Sequence, residues 1–434
     1  MLCLVVIEGG IMKRLRLSKR SGAEGCLRSR VLLVVMAGVL LSVGVLNAFE
    51  SKGVLQSVDP KTRVVKMFAD GRDRTLKAAN NVRVLGEDGK PLEGGLEAKG
   101  LTNGVAVSVT VTPSDLVPIL ARLQLLTHKK EQPAVTVKPT VGLKPLTEMT
   151  AEDRYKGQDG GLYGAGKNVP PSAHAAAAAR LSVKIVPLDA EGKPSQQGKI
   201  GLISISMSNA TMEYSLFKQL ADADPQKSAA VAIVDCAQGG QAMAEWADPK
   251  AKPWTETERR LLQAGVSSKQ VQVIWVKLAN KNPHGEFAEH VGKLEQDTRA
   301  VLRNAKTRFP NLRIAYLGSR IYAGYATTDL NPEPYAYEGA FAVRGLILGQ
   351  ANGDADLAYN GVAMAKAPLL LWGPYFWADG ATPRKSDGLV WERADLGGDG
   401  THPSEGGRRK VAGQLVTFFK QDPLASQWFV KKAK

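Results

Sequence analysis

From residue 200 onward, apolar runs of strand length alternate with segments whose apolar residues recur at helical spacing. Ile200 to Ser206, Ala229 to Asp235, Val271 to Lys277 and Leu312 to Leu317 read as strands, and Met212 to Ala221, Glu256 to Gln263, Phe287 to Arg308 and Glu405 to Lys420 as helices. Strands that are apolar at successive positions are buried on both faces, the pattern of a mainly parallel sheet joined by right-handed helical crossovers. The expected fold class is therefore α/β. Ahead of it the period changes to two. Val105, Val107, Val109 and Val111 alternate with other residues, and the short runs Val64 to Phe68 and Val82 to Leu85 are followed by Asp70-Gly71 and Asp88-Gly89. This predicts a small antiparallel β-barrel or sandwich.

The intervening stretch is mixed. Ser114 to Leu126 reads as a helix, Lys129 to Pro145 as an extended connector with prolines at 133, 139 and 145, and Ala175 to Val183 as a second, alanine-rich helix. The glycines between Gly157 and Gly166 neither follow a strand nor open a helix, which argues against a phosphate loop and for a packed surface loop near the active site. The resulting division is 1–48 as a leader, 51–113 as a β domain, 114–146 as helix and linker, and 147–434 as the α/β domain.

The first 48 residues are a class apart. Lys13, Arg14, Arg16, Lys19, Arg20, Arg28 and Arg30 precede an apolar run from Val31 to Leu46 that ends at Asn47-Ala48. A basic region, an apolar region and a small residue predict a secretory signal peptide, and hence a secreted or periplasmic protein. An uncleaved anchor is the alternative, although the run is short of the ~20 residues that span a bilayer. Seven basic and two acidic residues lie in 1–48, so the net charge of +15 becomes +10 without them. No Lys/Arg block interleaves with aromatics, which excludes nucleic acid as the expected partner. Of three cysteines only Cys236 lies beyond the leader, so the processed chain holds no intrachain disulfide.

The strand ends carry the chemistry. Ligands of parallel sheets bind at the carboxyl ends of strands. The first strand runs into Ser208-Asn209, the second into Asp235 and Gly239-Gly240-Gln241, and the third into Lys277 and Asn280. Near the C-terminus, Asp399-Gly400-Thr401-His402-Pro403 precedes the last helix and offers a histidine base with an acid beside it. Ser208 is the nucleophile such a base requires, with Asp399 orienting His402. A tetrahedral oxyanion needs donors already in place, and the N–H groups of Ser208, Gly239 and Gly240 with the Asn280 amide would supply them. Asn209, Gln241, Lys277 and Glu338 are further candidates for polar substrate contacts.

In these four blocks the chain resembles the SGNH (GDSL-like) hydrolases, which carry Ser, Gly, Asn and His in that order. Met207-Ser208-Asn209 is similar to the serine block of sialate O-acetylesterases and acetylxylan esterases, Gln238-Gly239-Gly240 with Glu245-Trp246 to their glycine block, and Val273-Ile274-Trp275 leading to Asn280 to their asparagine segment. Asp399-Gly400-Thr401-His402 matches the Asp-x-x-His block. Ser206-Met207 stands where Gly-Asp is usual, and Leu278 where a glycine is usual. The resemblance spans about residues 198 to 420 and implies a three-layer flavodoxin-like α/β/α sandwich and metal-free ester hydrolysis by Ser208, His402 and Asp399.

The resulting expectation is an exported serine esterase acting on acetyl or other small acyl esters of a carbohydrate. The alternatives are a catalytically silent carbohydrate-binding module of the same fold and a lipid or thioester hydrolase. No Cys/His/Asp cluster has metal-ligand spacing, so neither metal nor other cofactor is expected. The aromatic-rich stretch from Tyr322 to Trp391 reads mainly as core, with one or two rings near the site stacking on a sugar. His128 and His174 are placed outside the sheet region, and His284 and His290 are read as solvated. The β domain is either a module that contacts polysaccharide or envelope, or a spacer.

Overall fold

A computed structural model describes residues 49–69, 72–102, 105–112, 119–126, 138–360 and 365–431. The leader 1–48, the Asp70-Gly71 turn and His128 lie outside these residues. The unit that begins at Phe49 contains both the barrel and the α/β portion.

Five strands close the barrel: β1 (Phe49–Asp59), β2 (Val64–Ala69), β3 (Arg72–Leu85), β4 (Ala106–Thr112) and β5 (Ile119–Leu125), in the order β1-β2-β3-β5-β4. Every pairing is antiparallel except β3 with β5. The period-two pattern is realised directly, for Val107, Val109 and Val111 turn inward with Leu55, Val65, Met67, Leu76, Leu120 and Leu123. One expectation fails here. The segment 119–125 read as helix is β5, and it supplies the ladder that β3 and β4 both need. Leu120 and Leu123 are compatible with a helical period, but closure of the barrel overrides that local preference. The β domain thus extends beyond 113.

The α/β portion follows the alternation closely. Its elements are α1 (Ser172–Ser182), β6 (Ile200–Ile205), α2 (Ser208–Ala223), β7 (Val231–Val234), α3 (Met243–Ala247), α4 (Lys252–Gln263), β8 (Val271–Lys277), α5 (Phe287–Arg308), β9 (Ile314–Gly318), α6 (Tyr335–Ala351), β10 (Leu369–Trp372) and α7 (Glu405–Gln421). The five strands form one sheet in the order β10-β9-β8-β6-β7, and all its pairings are parallel. Every residue of β6 and β8 is buried, which accounts for their unbroken apolar character. α2 packs on α7, while α5 packs on α3 and α6.

The glycine loop 157–166 packs on α6: Arg344 donates to the Asp159 and Gly161 carbonyls, and none of its residues lines the cavity described below. The expected place near the active site is therefore wrong. His174 is buried, with Nε2 2.7 Å from the Leu370 carbonyl in β10. It belongs to the sheet region after all. His290 is also buried rather than solvated, in a chain in which its Nδ1 meets Glu338 Oε2 at 2.9 Å and Tyr155 donates to Glu338 Oε1 at 2.8 Å. Glu338 is thereby committed to the core and is withdrawn as a substrate contact. Among the described residues no helix is long and apolar enough to cross a membrane.

Candidate active site

β6 ends at Ile205, and Met207 in extended conformation leads into α2, of which Ser208 is the first residue. A residue in that position has no carbonyl one turn earlier to receive its N–H, so the Ser208 amide is available where helix-dipole field is positive. Ser206 is a structural pin. Its hydroxyl donates to the Lys277 carbonyl across to β8, and its own carbonyl accepts from Gln238 N–H at 2.9 Å and Trp246 Nε1 at 3.2 Å. The ends of β6, β7 and β8 are thereby tied together behind Ser208.

The structure brings the predicted triad into contact. Ser208 Oγ lies 2.7 Å from His402 Nε2, and His402 Nδ1 lies 2.5 Å from Asp399 Oδ2. Asp399 Oδ1 also accepts the N–H groups of Thr401 and His402, each at 3.0 Å. Burial pushes the Asp399 carboxyl upward, but the His402 ring and these two amides outweigh it and hold the pKa at about 2. With Nδ1 facing a carboxylate, His402 presents Nε2 to the Ser208 hydroxyl.

A cavity of about 290 Å³ opens in front of Ser208, and its wall includes Asn209, Gly239, Gly240, Asn280 and His402. The N–H of Gln241 donates to the Gln238 carbonyl in a turn that places Gly240 at φ 73°, where a side chain would be strained. Asn280 is fixed at both ends of its amide: Oδ1 accepts Ala244 N–H at 2.9 Å, at the start of α3, and Nδ2 donates to Asp297 at 2.7 Å. An amide nitrogen carries two protons, so one is left over. Asn209 Nδ2 donates to the Thr401 carbonyl at 2.9 Å, making Asn209 a link between Ser208 and the His402 loop.

Two predicted contacts are not made. Lys277 is fully buried, with Nζ 2.6 and 2.7 Å from the Glu213 carboxylate oxygens, and does not reach the cavity. It is the last residue of β8, and the alternation of the strand turns it away from the site and beneath α2. Gln241 faces a separate polar cavity lined by Asp235 and Arg260. Nor does any aromatic residue between Tyr322 and Trp391 line the Ser208 cavity among the described residues. Tyr322, Tyr337, Phe376, Trp377 and Trp391 are packed in the core, so sugar stacking by them is not available.

Two contributors escaped the sequence reading. Arg320 and Asn331 line the cavity from the segment after β9. Arg320 stands two residues beyond the end of a strand, so applying the strand-end rule to the fourth strand as well as the first three would have found it. The barrel is the other. Lys52, Gly53 and Val54 of β1 and Ala69 of β2 complete the cavity wall, and Asp73 pairs with Arg408 of α7 at 3.1 Å. The barrel is a wall of the site, not a detached spacer. Among the described residues no three His, Cys, Asp or Glu side chains are gathered as for a metal ion.

No family model matches the chain, and no curated protein matches it. Seven chains of solved structures match. Silver-bound CusF from Escherichia coli is similar at 8% identity over 19% of this chain and 94% of its own, with a TM-score of 0.15. The salicylyl-acyltransferase SsfX3 of a tetracycline biosynthetic pathway is similar at 13% identity with a TM-score of 0.26, over 51% of this chain and 54% of its own. The chain thus spans about half the length of that acyltransferase.

Two outcomes follow from the buried charges. Lys277→Met should destabilise the fold by about 3–5 kcal/mol because it strands the Glu213 charge, and Glu213→Leu/Lys277→Met should recover most of the loss. Chemical denaturation of the three proteins checks this, and equal losses in the single and double variants would contradict it. Asp399 is held below its unfolded value, so its contribution to stability is complete above about pH 4 and is lost as pH falls towards 2. The advantage of the native protein over Asp399→Asn should therefore carry a pH-dependent part of about 2 kcal/mol at pH 5.5 that falls to roughly half at pH 3. Urea unfolding at the two pH values measures it; a pH-independent difference would show that Asp399 is not held low.

Proposed function

We propose that the protein is an exported serine esterase of SGNH type that removes acetyl or other small acyl groups from a carbohydrate. The observation that carries this reading is the hydrogen-bonded series Ser208–His402–Asp399, at the head of a helix and facing a cavity. The strand order supports the accompanying fold assignment: β7-β6-β8-β9-β10 is the 2-1-3-4-5 order of flavodoxin-like sheets, and the two helix groups, α2 with α7 and α5 with α3 and α6, fit the outer layers of an α/β/α sandwich.

In this mechanism Ser208 Oγ attacks the ester carbonyl while its proton passes to His402 Nε2. Asp399 holds the Nδ1 proton and balances the imidazolium charge. Negative charge gathers on the carbonyl oxygen, where the Ser208 and Gly239-Gly240 amides and the remaining Asn280 proton donate to it. Collapse of the tetrahedral species breaks the bond to the leaving oxygen, which takes the proton from His402. An acyl group is left on Ser208. Water then attacks that acyl group with His402 again as base, releasing the acid and restoring the serine. A cavity of about 290 Å³ suits a small acyl group, since drug-sized ligands occupy roughly 300–1,000 Å³.

The esterase is separated from a silent binding module by turnover of 4-nitrophenyl acetate. The native protein should hydrolyse it and Ser208→Ala should not; a folded native protein inactive from about pH 6 to 9 would overturn the reading. Asn280→Ala tests the oxyanion donors. It should lower kcat by roughly 10²- to 10³-fold with little change in KM, because the bond strengthens only as charge develops. Since Asn280 also binds Ala244 and Asp297, the same substitution should lower the melting temperature, so kcat is referred to the folded fraction. A normal kcat in that fraction would remove Asn280 from the mechanism.

A further inference from the structure

His402 borders two cavities. One is the cavity in front of Ser208; the other, of about 410 Å³, lies between the barrel and α7, and Val54 and His402 belong to the walls of both. An ester has two halves that part at the reacting carbonyl. With the acyl half in the Ser208 cavity, the leaving oxygen must reach His402, and the alcohol behind it extends towards the second cavity.

The wall of that second cavity suits a ligand that is polar but uncharged. Gln56 Nε2 donates to Asp73 Oδ1 at 2.7 Å, and Arg408 Nη1 donates to Asp73 Oδ2 at 3.1 Å. Arg408 Nε reaches on to the Pro403 carbonyl at 3.2 Å, so this series runs from the barrel to the residue after His402. The Asp73 side chain is 53% exposed, and each carboxylate oxygen can accept more than one hydrogen bond, so it stays open to a hydroxyl. The bond from Gln56 uses one of its two amide protons. Gln56 is also where β1 departs from regular pairing: Leu55 partners Met67 and Ser57 partners Lys66, which leaves Gln56 as the extra residue of a β-bulge. Bulges gather at barrel rims and beside active sites, where they re-aim a side chain. Next to these polar groups, Val54, Met212 and Pro403 supply apolar wall. The charges are balanced, for Asp73 faces Arg408, Glu405 faces Arg409 at 2.5 Å and Asp399 faces His402. An ionic ligand finds no unmatched charge there, whereas a ring with hydroxyls at its edge and C–H groups on its faces fits both surfaces.

We infer that Gln56 and Asp73 of the barrel are specificity-determining residues, which hold hydroxyls of the alcohol half of the ester while the Ser208 cavity takes the acyl half. This inference rests on the esterase reading. The barrel thereby selects which alcohol is deacylated, and the α/β portion carries out the chemistry. The same bonds also join the barrel to α7, so a general loss of activity on substitution would not identify the role. Discrimination between alcohols does.

The test compares two acetates that differ only in the alcohol, methyl 6-O-acetyl-β-D-glucopyranoside and hexyl acetate. The native protein should favour the sugar acetate by at least about tenfold in kcat/KM, as expected for hydrogen bonds that include a charged acceptor. Gln56→Ala and Asp73→Ala should each cut that ratio several-fold through a higher KM for the sugar acetate, and Asp73→Asn, which keeps an acceptor oxygen, should retain part of it. Gln56→Ala leaves the bridge from Asp73 to Arg408 in place and serves where Asp73→Ala fails to fold. A purely structural clasp would lower both acetates equally and leave the ratio unchanged; that result, or a native protein without the preference, overturns the inference. No turnover of these two esters or of 4-nitrophenyl acetate sinks the esterase reading and this inference with it. Turnover of 4-nitrophenyl acetate without the sugar preference sinks the inference alone.

Discussion

Ser208 and His402 are 194 positions apart in sequence, and a single backbone carbonyl does much to hold them at 2.7 Å. The Thr401 oxygen accepts Asn209 Nδ2 at 2.9 Å and Arg320 Nη2 at 3.3 Å, so the residue after Ser208 grips the residue before His402. The remainder of the loop is fixed independently. Gly397 donates to the His402 carbonyl at 2.7 Å and Thr327 to the Asp399 carbonyl at 2.9 Å. Gly400 has φ 64°, and a Cβ there would collide with the Tyr325 carbonyl. Each such bond is worth only about 1 kcal/mol. Their value lies in geometry, because a His402 displaced by an ångström would lose its contact with Ser208.

Beneath this contact lies a set of buried charges. Glu213 faces Lys277 directly and also favours the charge of Arg320, which Asp399 favours in turn. Glu213 sits on α2, Lys277 at the end of β8, Arg320 after β9 and Asp399 in the base loop, so the network spans the elements that position the site. Buried ion pairs are poor sources of stability, but a charge left without its partner is costly. The arrangement accordingly penalises any packing of α2 on the sheet that separates these groups, and so restricts where the first turn of α2, with Ser208, can stand.

Much of this was legible in the sequence because the governing patterns are local. The unbroken apolar runs of β6 and β8 require burial on both faces, and Phe287–Arg308 was readable to its ends. Asp399, Thr401 and His402 lie within one tight loop, so their spacing already encodes the contact. The failures are non-local. β5 has a sequence compatible with helix, and only the need to join β3 to β4 makes it a strand. The side to which Lys277 turns depends on what α2 offers beneath it, a glutamate five residues after Ser208. Trp246 illustrates the middle ground: its place next to the glycine turn was visible, but its indole N–H bond to the Ser206 carbonyl was not.

The barrel shows how a domain with no chemical signature of its own can still shape a site. Its interior is filled by Leu55, Val65, Met67 and the inward valines of β4, so a ligand has no room inside it. What it can offer is its surface. At the margin nearest α2, Gly53 of β1 pairs with Ala69 of β2, and these are among the smallest residues available. Ala69 belongs to the barrel's own core, and the backbone of this pair borders the cavity of about 290 Å³. Val54, the next residue, borders both this cavity and the neighbouring one that exposes Asp399 and His402 on their other side. The end of β6 therefore positions Ser208, the loop before α7 brings His402 and Asp399, the segment after β9 adds the charge of Arg320, and the barrel closes the cavity from the other side.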